Sequence, residues 1–170
     1  MDTLQAIADR RSIRRYERQP LPPEDLAKIL EAARLAPSAR NRQPWHLVVV
    51  SDGAQKTKLA ALCLGQLWLA GAGAMLVGVA LPKVSEKWCV VDATIAMQNA
   101  VLAATALGYG TCWIGAFHEG GVKALLGIPE EANVVAILPI GVPAEQPGAR
   151  SRKPLAELVS ADRYGQGWDG

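Results

Sequence analysis

Residues 90–110, VVDATIAMQNAVLAATALGYG, decide the fold of this chain. The segment predicts a long helix that is apolar on nearly every side and ends at Gly108, a residue type that favours a helix C-terminus. A helix without a polar face has to be covered all round. In a chain of 170 residues, this predicts either a helix at the centre of the domain or one packed against a second subunit.

Shorter helices and apolar strands alternate on both sides of this segment. Apolar spacing predicts a first helix at residues 2–10, with an N-cap at position 2 or 3 and with Leu4, Ile7 and Ala8 on one face. Further helices are predicted at residues 20–36, 53–65 and 119–127, and strands at residues 46–50, 74–80, 111–115 and 133–141. Such interleaving predicts a layered α/β or α+β domain.

Two common nucleotide-binding motifs are missing from the sequence. It contains no GxxxxGK[ST], and no GxGxxG joins a strand to a helix. The nearest approach, GAGAMLVG at residues 71–78, leads into a predicted strand. Neither a P-loop nor a Rossmann site is therefore expected.

Composition places the chain among ordinary globular domains. Half of the residues are hydrophobic and the net charge is +2, so neither nucleic acid nor a membrane surface is expected as a partner. The longest apolar stretch, residues 67–81, is interrupted by glycines and is too short for a bilayer. Cys63, Cys89 and Cys112 lack metal-ligand spacing and are expected to be buried apolar residues. A reducing cytoplasm is the expected compartment, and no signal peptide is recognised.

The arginines fall into two clusters. The first lies at the N-terminus and the second at residues 150–153. Because guanidinium groups bind phosphate bidentately, the two clusters could converge on one anionic group. On charge alone, two separate solvated surface patches remain the favoured interpretation.

A polar loop, APSARNRQPW at residues 36–45, separates the second predicted helix from the first strand. Ser38, Asn41 and Gln43 carry donors and acceptors that suit the edge of a flat heterocycle. Taken alone, the same groups are as well explained by loop polarity and by capping of neighbouring helix ends.

Five blocks, taken together and in order, resemble the FMN-dependent nitroreductase family. They are RRSIRRY (10–16), APSARNRQPWHLVVV (36–50), AMQNAVLAATALGYGTCWIGAF (96–117), LLGIPEEANVVAILPIGVP (125–143) and RSRKPLAELV (150–159). The resemblance implies one α+β domain over residues 1–170, with residues 161–170 as an extended tail. It implies three α/β/α layers around a mostly antiparallel sheet, and a homodimer with the long apolar helix buried at its interface.

The resemblance also implies that the chain binds FMN tightly. The flavin would carry the chemistry, so no catalytic side chain and no metal are expected. The residues that would contact FMN are Arg10, Arg11, Ser12 and Arg14; Pro37, Ser38, Ala39 and Asn41; Ile114, Gly115 and Ala116; and Arg150 and Arg152. The two basic blocks are expected to hold the phosphate, with Arg14 towards the pyrimidine edge. The loop is expected to contact the flavin of a second subunit, and the 114–116 segment to pass its reactive N5. Arg40 and Arg42 are expected to be surface charges.

The implied activity is ping-pong transfer of a hydride from NADH or NADPH, through flavin N5, to an electron-poor acceptor such as a nitroaromatic or a quinone. Two alternatives stay open: a non-catalytic flavin-binding protein, and a relative that uses reduced flavin for another reaction such as dehalogenation. The chain departs from longer relatives at LPKVSEKWCVV, residues 81–91. There Trp88 is either a shortened pocket wall or a core or interface residue. No role is assigned to Gln66 or His46.

Overall fold

The fold is seen in a computed structural model that describes residues 1–168. Its helices are α1 (Thr3–Asp9), α2 (Pro23–Arg34), α3 (Gly53–Leu62), α4 (Cys89–Ala106), α5 (Glu119–Leu126) and α6 (Leu155–Leu158). Its strands are β1 (Trp45–Val50), β2 (Ala74–Ala80), β3 (Gly110–Thr111) and β4 (Asn133–Gly141), and short 3-10 turns occupy Ala39–Asn41 and Leu67–Gly71. In the predicted tail, residues 161–165 form a bend and a turn and residues 166–168 have no regular secondary structure, while the last two residues lie outside the described residues.

The strands form one sheet in the order β1-β2-β4-β3, and every pairing is antiparallel. An antiparallel sheet differs from the parallel sheet of a Rossmann fold. The N-terminal segment extends the sheet beyond β3, where Ser12 bridges Thr111 in parallel. The sheet thus ends with β1 at one edge and with residues 12–16 at the other.

Strand β2 lies inside the sheet and is buried along its whole length. Its side chains alternate between two cores because successive residues of a strand face opposite ways. Met75 and Val77 pack with residues of α3 and α5, whereas Leu76 packs with residues of α2 and α4. Helices therefore cover both faces, and the predicted three-layer α+β fold is confirmed.

Helix α4 approaches the sheet closely, and a glycine permits it. A Cβ on Gly78 of β2 would overlap the side chain of Met97 in α4. Fully buried alanines, including Ala96 and Ala100, lie along the same side of the helix. Gly108 has φ 88°, as its predicted place after the helix requires.

The outer side of α4 is not covered by the chain's own residues. Val90, Val91 and Ile95 are 45%, 46% and 36% exposed, so burial on all sides does not hold within one chain. By length and composition alone this helix could cross a membrane, and its inner side packs on the sheet as a core helix does. Of the two locations predicted for α4, packing against a second subunit agrees better with this exposure.

Helix α1 also exposes apolar residues. Asp2 caps it as predicted, accepting a hydrogen bond from the Gln5 N–H at 2.8 Å. However, Leu4 and Ile7 of its apolar face are 78% and 54% exposed, and Ala6 is its one buried residue. The apolar spacing predicted the helix correctly, but the apolar face that it predicted is not the side that packs against the rest of the chain.

Several predicted elements differ from the structure in their bounds or their burial. The strand predicted at 111–115 is reduced to β3 and one bridge between Ile114 and Ile137. Helix α3 ends at Leu62 rather than near Gly65, because Leu64 and Gly65 adopt φ 52° and 74°. Strand β1 is an edge strand, so most of it is half-buried rather than buried.

Candidate functional site

The first basic block is held in place by its backbone. The Ile13 N–H donates to Thr111 O at 2.9 Å, and the Ala144 N–H donates to Arg15 O at 2.9 Å. The buried Tyr16 hydroxyl donates to Ile13 O at 2.7 Å. The segment is therefore fixed between β3 and the chain that follows β4, and its arginines project from an ordered backbone.

Glu145 adds a second support that sequence reasoning missed. Its Oε1 accepts the backbone N–H of Arg14 at 2.6 Å and that of Arg15 at 3.1 Å. The carboxylate thus binds main chain, and within residues 1–168 neither guanidinium group forms an ion pair. The partners are about 130 positions apart, and no sequence signal joins them.

The two arginine clusters meet in one cavity of about 500 Å³, here named the first basic cavity. Its polar lining consists of Arg10, Arg11, Ser12, Arg14, Arg150 and Arg152. No carboxylate among the described residues lines it. The structure therefore favours convergence of the clusters over two separate surface patches, and the cavity suits an anion such as a phosphate monoester.

Some donors in this cavity are already engaged. Arg11 donates from Nη1 to Ala8 O at 2.6 Å and to Arg10 O at 3.0 Å, which caps the end of α1. Arg152 donates to Arg150 O at 3.2 Å. Because a guanidinium carries five N–H donors, both arginines keep donors for a ligand.

Cys112 lies buried beside this cavity. Burial raises the pKa of its thiol, an effect that Arg14, the Ser12 hydroxyl and Arg10 partly offset. Burial also raises the pKa of Cys63 to about 11. All three cysteines are buried and free, as predicted, and no group of metal-ligating side chains occurs in the described part of the chain.

The polar loop has an unusual backbone. Arg40, Asn41 and Gln43 adopt φ 54°, 54° and 51°, the left-handed region that side chains other than glycine disfavour. The Gln43 N–H donates to Ser38 Oγ at 2.9 Å, and Gln43 Nε2 donates to Asn41 O at 3.1 Å. Part of the loop's polarity therefore stabilises the loop itself, which was one of its two interpretations. The Ser38 hydroxyl hydrogen and the Asn41 amide hydrogens remain for another molecule.

Asp92 anchors this loop to α4. The side chain is 3% exposed, and its Oδ2 accepts the Ala39 N–H at 3.2 Å. A carboxylate in the first turn of a helix also interacts favourably with the helix dipole. Sequence reasoning placed Asp92 in the long helix without recognising this contact.

A second cavity, of about 610 Å³, lies between the loop and residues 85–88, and is here named the loop cavity. Arg40, Arg42 and Trp88 line it, and the two arginines are exposed, as expected. Trp88 is 43% exposed, and Lys87 Nζ lies 5.0 Å from the centroid of its ring. Trp88 therefore lines a cavity and is not a core residue of this chain, which leaves the pocket-wall and interface interpretations.

The structure does not bring all the predicted FMN contacts together. The loop precedes β1 at one edge of the sheet, whereas the first basic cavity lies beyond β3 at the other, and the two cavities share no lining residue. Ile114 is buried and exchanges two hydrogen bonds of 3.0 Å with Ile137, while Gly115 and Ala116 are exposed. A Cβ on Gly115 would have no neighbour within 4 Å, so nothing in the described chain obstructs approach there.

Gln66 and His46 stay outside these groupings. Gln66 Nε2 donates to Cys63 O at 3.0 Å, which closes the end of α3. His46 is exposed on β1 and lines none of the cavities named here.

The fold is thus a three-layer α+β domain with an arginine-lined cavity beyond one edge of an antiparallel sheet. The sequence model of the nitroreductase family matches residues 7–81 and 66–142. The chain belongs to the nitroreductase family, as the sequence blocks predicted.

Three similar proteins cover most of the chain. A candidate NADH dehydrogenase/NAD(P)H nitroreductase of Archaeoglobus fulgidus is 42% identical, over 85% of this chain and 87% of its own. An FMN reductase [NAD(P)H] of Bacillus subtilis is 31% identical, over 96% and 74%. The NADPH:FMN oxidoreductase of Vibrio harveyi, solved in complex with NAD⁺, superimposes with a TM-score of 0.89 at 27% identity, over 96% and 78%.

Proposed function

We propose that this protein is an FMN-dependent NAD(P)H oxidoreductase that reduces electron-poor acceptors of the nitroaromatic or quinone type. The observation that carries the proposal is the convergence of residues 10–14 and 150–152 on one cavity without a carboxylate. Bound FMN would supply the redox chemistry, taking a hydride from the nicotinamide and passing it to the acceptor. Membership in a family with named flavin and NAD(P)H oxidoreductases supports the same function.

The residues present fit FMN. Arg10, Arg150 and Arg152 form no ion pair within residues 1–168 and would offer guanidinium donors to the phosphate, and Ser12 adds a hydroxyl. Glu145 accepts the backbone N–H of Arg14 and so fixes this residue. The Arg14 guanidinium would lie towards the pyrimidine edge of the flavin and stabilise negative charge there. The exposed backbone at Gly115 leaves room for a flat ring to lie against main chain.

We further propose that the site is completed by a second copy of the chain. Exposed apolar side chains on α1, α4 and α6, such as Leu4, Ile7, Val91, Ile95 and Leu158, would be covered in a homodimer. In one chain the loop lies at the sheet edge opposite the first basic cavity. A twofold partner can bring Pro37, Ser38, Ala39 and Asn41 to that cavity, which agrees with the donors left free on Ser38 and Asn41.

The same proposal treats residues 1–170 as one domain in a reducing cytoplasm, which agrees with three buried, free cysteines. It names a small-molecule acceptor and a second copy of the chain as partners, and neither nucleic acid nor a membrane.

Anaerobic reduction tests the function directly. Purified protein is expected to be yellow with bound FMN, and NADH or NADPH is expected to bleach the flavin absorbance near 450 nm (roughly, a general property of flavins). A quinone or nitroaromatic added afterwards should restore the colour. If FMN is bound but neither NADH nor NADPH reduces it, the protein is a non-catalytic flavin-binding protein rather than an oxidoreductase. Protein that takes up no FMN would contradict both functions.

A further inference from the structure

A third cavity lies outside the site described above. It measures about 810 Å³ and is here named the second basic cavity. Arg14, Arg15, Arg18 and Lys56 line it, and no carboxylate among residues 1–168 does. Arg14 lines both basic cavities, so the second begins where the proposed FMN site ends.

These four cations have no anionic partner within the described residues. The nearby Glu145 carboxylate binds backbone N–H groups rather than guanidinium groups. Lys56 Nζ is held by two carbonyl oxygens, Ala72 O at 2.5 Å and Gly73 O at 3.3 Å. Burial lowers the pKa of Lys56 despite these two contacts, because a partly buried ammonium group is less well solvated than one in water. An anion in the cavity would compensate this group.

The cavity also has an apolar wall suited to a ring. Trp68 is half-buried and stacks on Tyr16 with 6.4 Å between the ring centroids and 19° between the ring planes. A Cβ on Gly71, in the same lining, would have no neighbour within 4 Å, so the main chain is open to a ligand there. A volume of this size falls within the range of small-molecule and cofactor pockets, about 300–1,000 Å³.

We propose that the second basic cavity binds the adenosine-phosphate half of NADPH, and that Arg15, Arg18 and Lys56 favour NADPH over NADH through the 2′-phosphate. This inference rests on the proposed oxidoreductase function. The arginines of the first basic cavity would hold the FMN phosphate, which would leave the second cavity for the reductant. NADH brings only its two pyrophosphate charges, whereas NADPH adds a phosphate that can engage the further cations. A preference for NADPH follows, because with NADH bound the charges of these cations would have no anionic partner.

Titration calorimetry with adenosine 2′,5′-bisphosphate and with AMP tests this preference on FMN-loaded protein. The bisphosphate is expected to bind at least about tenfold more tightly, the effect of one charge-assisted contact. Arg18→Ala should remove about that factor for the bisphosphate and leave AMP binding nearly unchanged. It should also raise the KM for NADPH with little change in kcat, as loss of a ground-state contact does.

Lys58→Ala is the matched control. Lys58 is exposed on α3, two positions from Lys56, and does not line the cavity, so its loss removes the same charge without changing either affinity. Arg15→Ala serves as an independent second variant.

The outcomes separate the two proposals. The NADPH assignment would be overturned by equal affinities for the bisphosphate and AMP, or by equal losses of bisphosphate affinity in Arg18→Ala and Lys58→Ala. Flavin reduction by both NADH and NADPH would then still support the oxidoreductase function. Protein that binds the bisphosphate selectively but takes up no FMN would retain the cavity assignment and overturn the oxidoreductase.

Discussion

Two segments are proposed to hold the same cofactor, and they are built in opposite ways. Residues 12–16 join the sheet through backbone hydrogen bonds, and none of them has a positive φ. The loop at residues 38–43 has three non-glycine residues at positive φ and is held by its own side chains and by Asp92. Both depend on one distant carboxylate that accepts backbone N–H groups, Glu145 for the first and Asp92 for the second.

The difference indicates which half of the site a single chain can form. The first basic cavity is complete within one chain, because its arginines come from two segments that the fold itself joins. The loop carries a strained conformation and unused donors, features that are common where a ligand or partner is bound. We therefore expect the first cavity to determine FMN affinity and the loop to contribute only in the assembled protein.

The largest effect is expected from Arg10→Ala combined with Arg152→Ala. Each charge-assisted contact to the phosphate is worth about 1.5–3 kcal/mol, a factor of about 10 to 150 in the FMN Kd. Because both arginines would contact one phosphate, the combined loss should differ from the sum of the single losses. Fluorescence titration of FMN, with Lys58→Ala as the control, measures all of these terms. Unchanged affinity in both single variants would show that the arginines are surface charges.

Complementation tests whether the two segments come from different chains. The Arg10→Ala/Arg152→Ala chain and a Ser38→Ala/Asn41→Ala chain, each carrying its own affinity tag, are coexpressed and purified through both tags. A twofold arrangement gives this heterodimer one undamaged site and one doubly damaged site, so it should retain about one FMN. If each chain built its whole site alone, both sites would carry a defect and the heterodimer would retain no more FMN than its parents.

The two carboxylate anchors should differ in what they control. Glu145→Ala removes the acceptor for two N–H groups at the first basic cavity and should weaken FMN binding by about 0.5–1.5 kcal/mol, or 2- to 12-fold. The free energy of unfolding of Glu145→Ala should change little, because the N–H groups of Arg14 and Arg15 are exposed and water can accept their hydrogen bonds. Glu145→Gln, which keeps an acceptor oxygen, should be milder.

Asp92→Ala should instead lower the free energy of unfolding by about 1–3 kcal/mol, because it removes a buried acceptor. Asp92→Asn keeps an oxygen for the Ala39 N–H and serves as its control. Urea denaturation together with FMN titration separates the two anchors. Equal effects of both alanine variants on stability would contradict the contrast between the segments.

The sequence predicted the parts of this molecule that depend on local pattern. Strand β2 and helix α4 were found from apolar runs, and Gly108 from its C-cap chemistry. The convergence of the arginine clusters was one of two interpretations, because charge carries no information on distance. Glu145 and Asp92 were missed since their partners lie 131 and 53 positions away.

Exposure was the other quantity that local pattern could not supply. The apolar faces of α1 and α4 were found, but the same pattern marks a surface that packs on the chain's own sheet and a surface left for a partner. The loop conformation was hidden for a related reason. Arginine and glutamine disfavour positive φ, so the residue types of this loop do not predict its left-handed backbone.

The smallest expected effect concerns this strain. Arg40 at φ 54° should cost roughly 1–2 kcal/mol relative to glycine, and the greater freedom of glycine in the unfolded chain takes back about 0.5–1 kcal/mol. Arg40→Gly should therefore raise the free energy of unfolding by up to about 1.5 kcal/mol, measured by urea denaturation. Arg42, two positions on at φ −75°, is the matched control, because Arg42→Gly removes the same charge and should destabilise. A gain in stability accompanied by faster FMN release would show that the strained loop serves binding, whereas a loss of stability in Arg40→Gly would show that the loop conformation carries no strain for glycine to relieve.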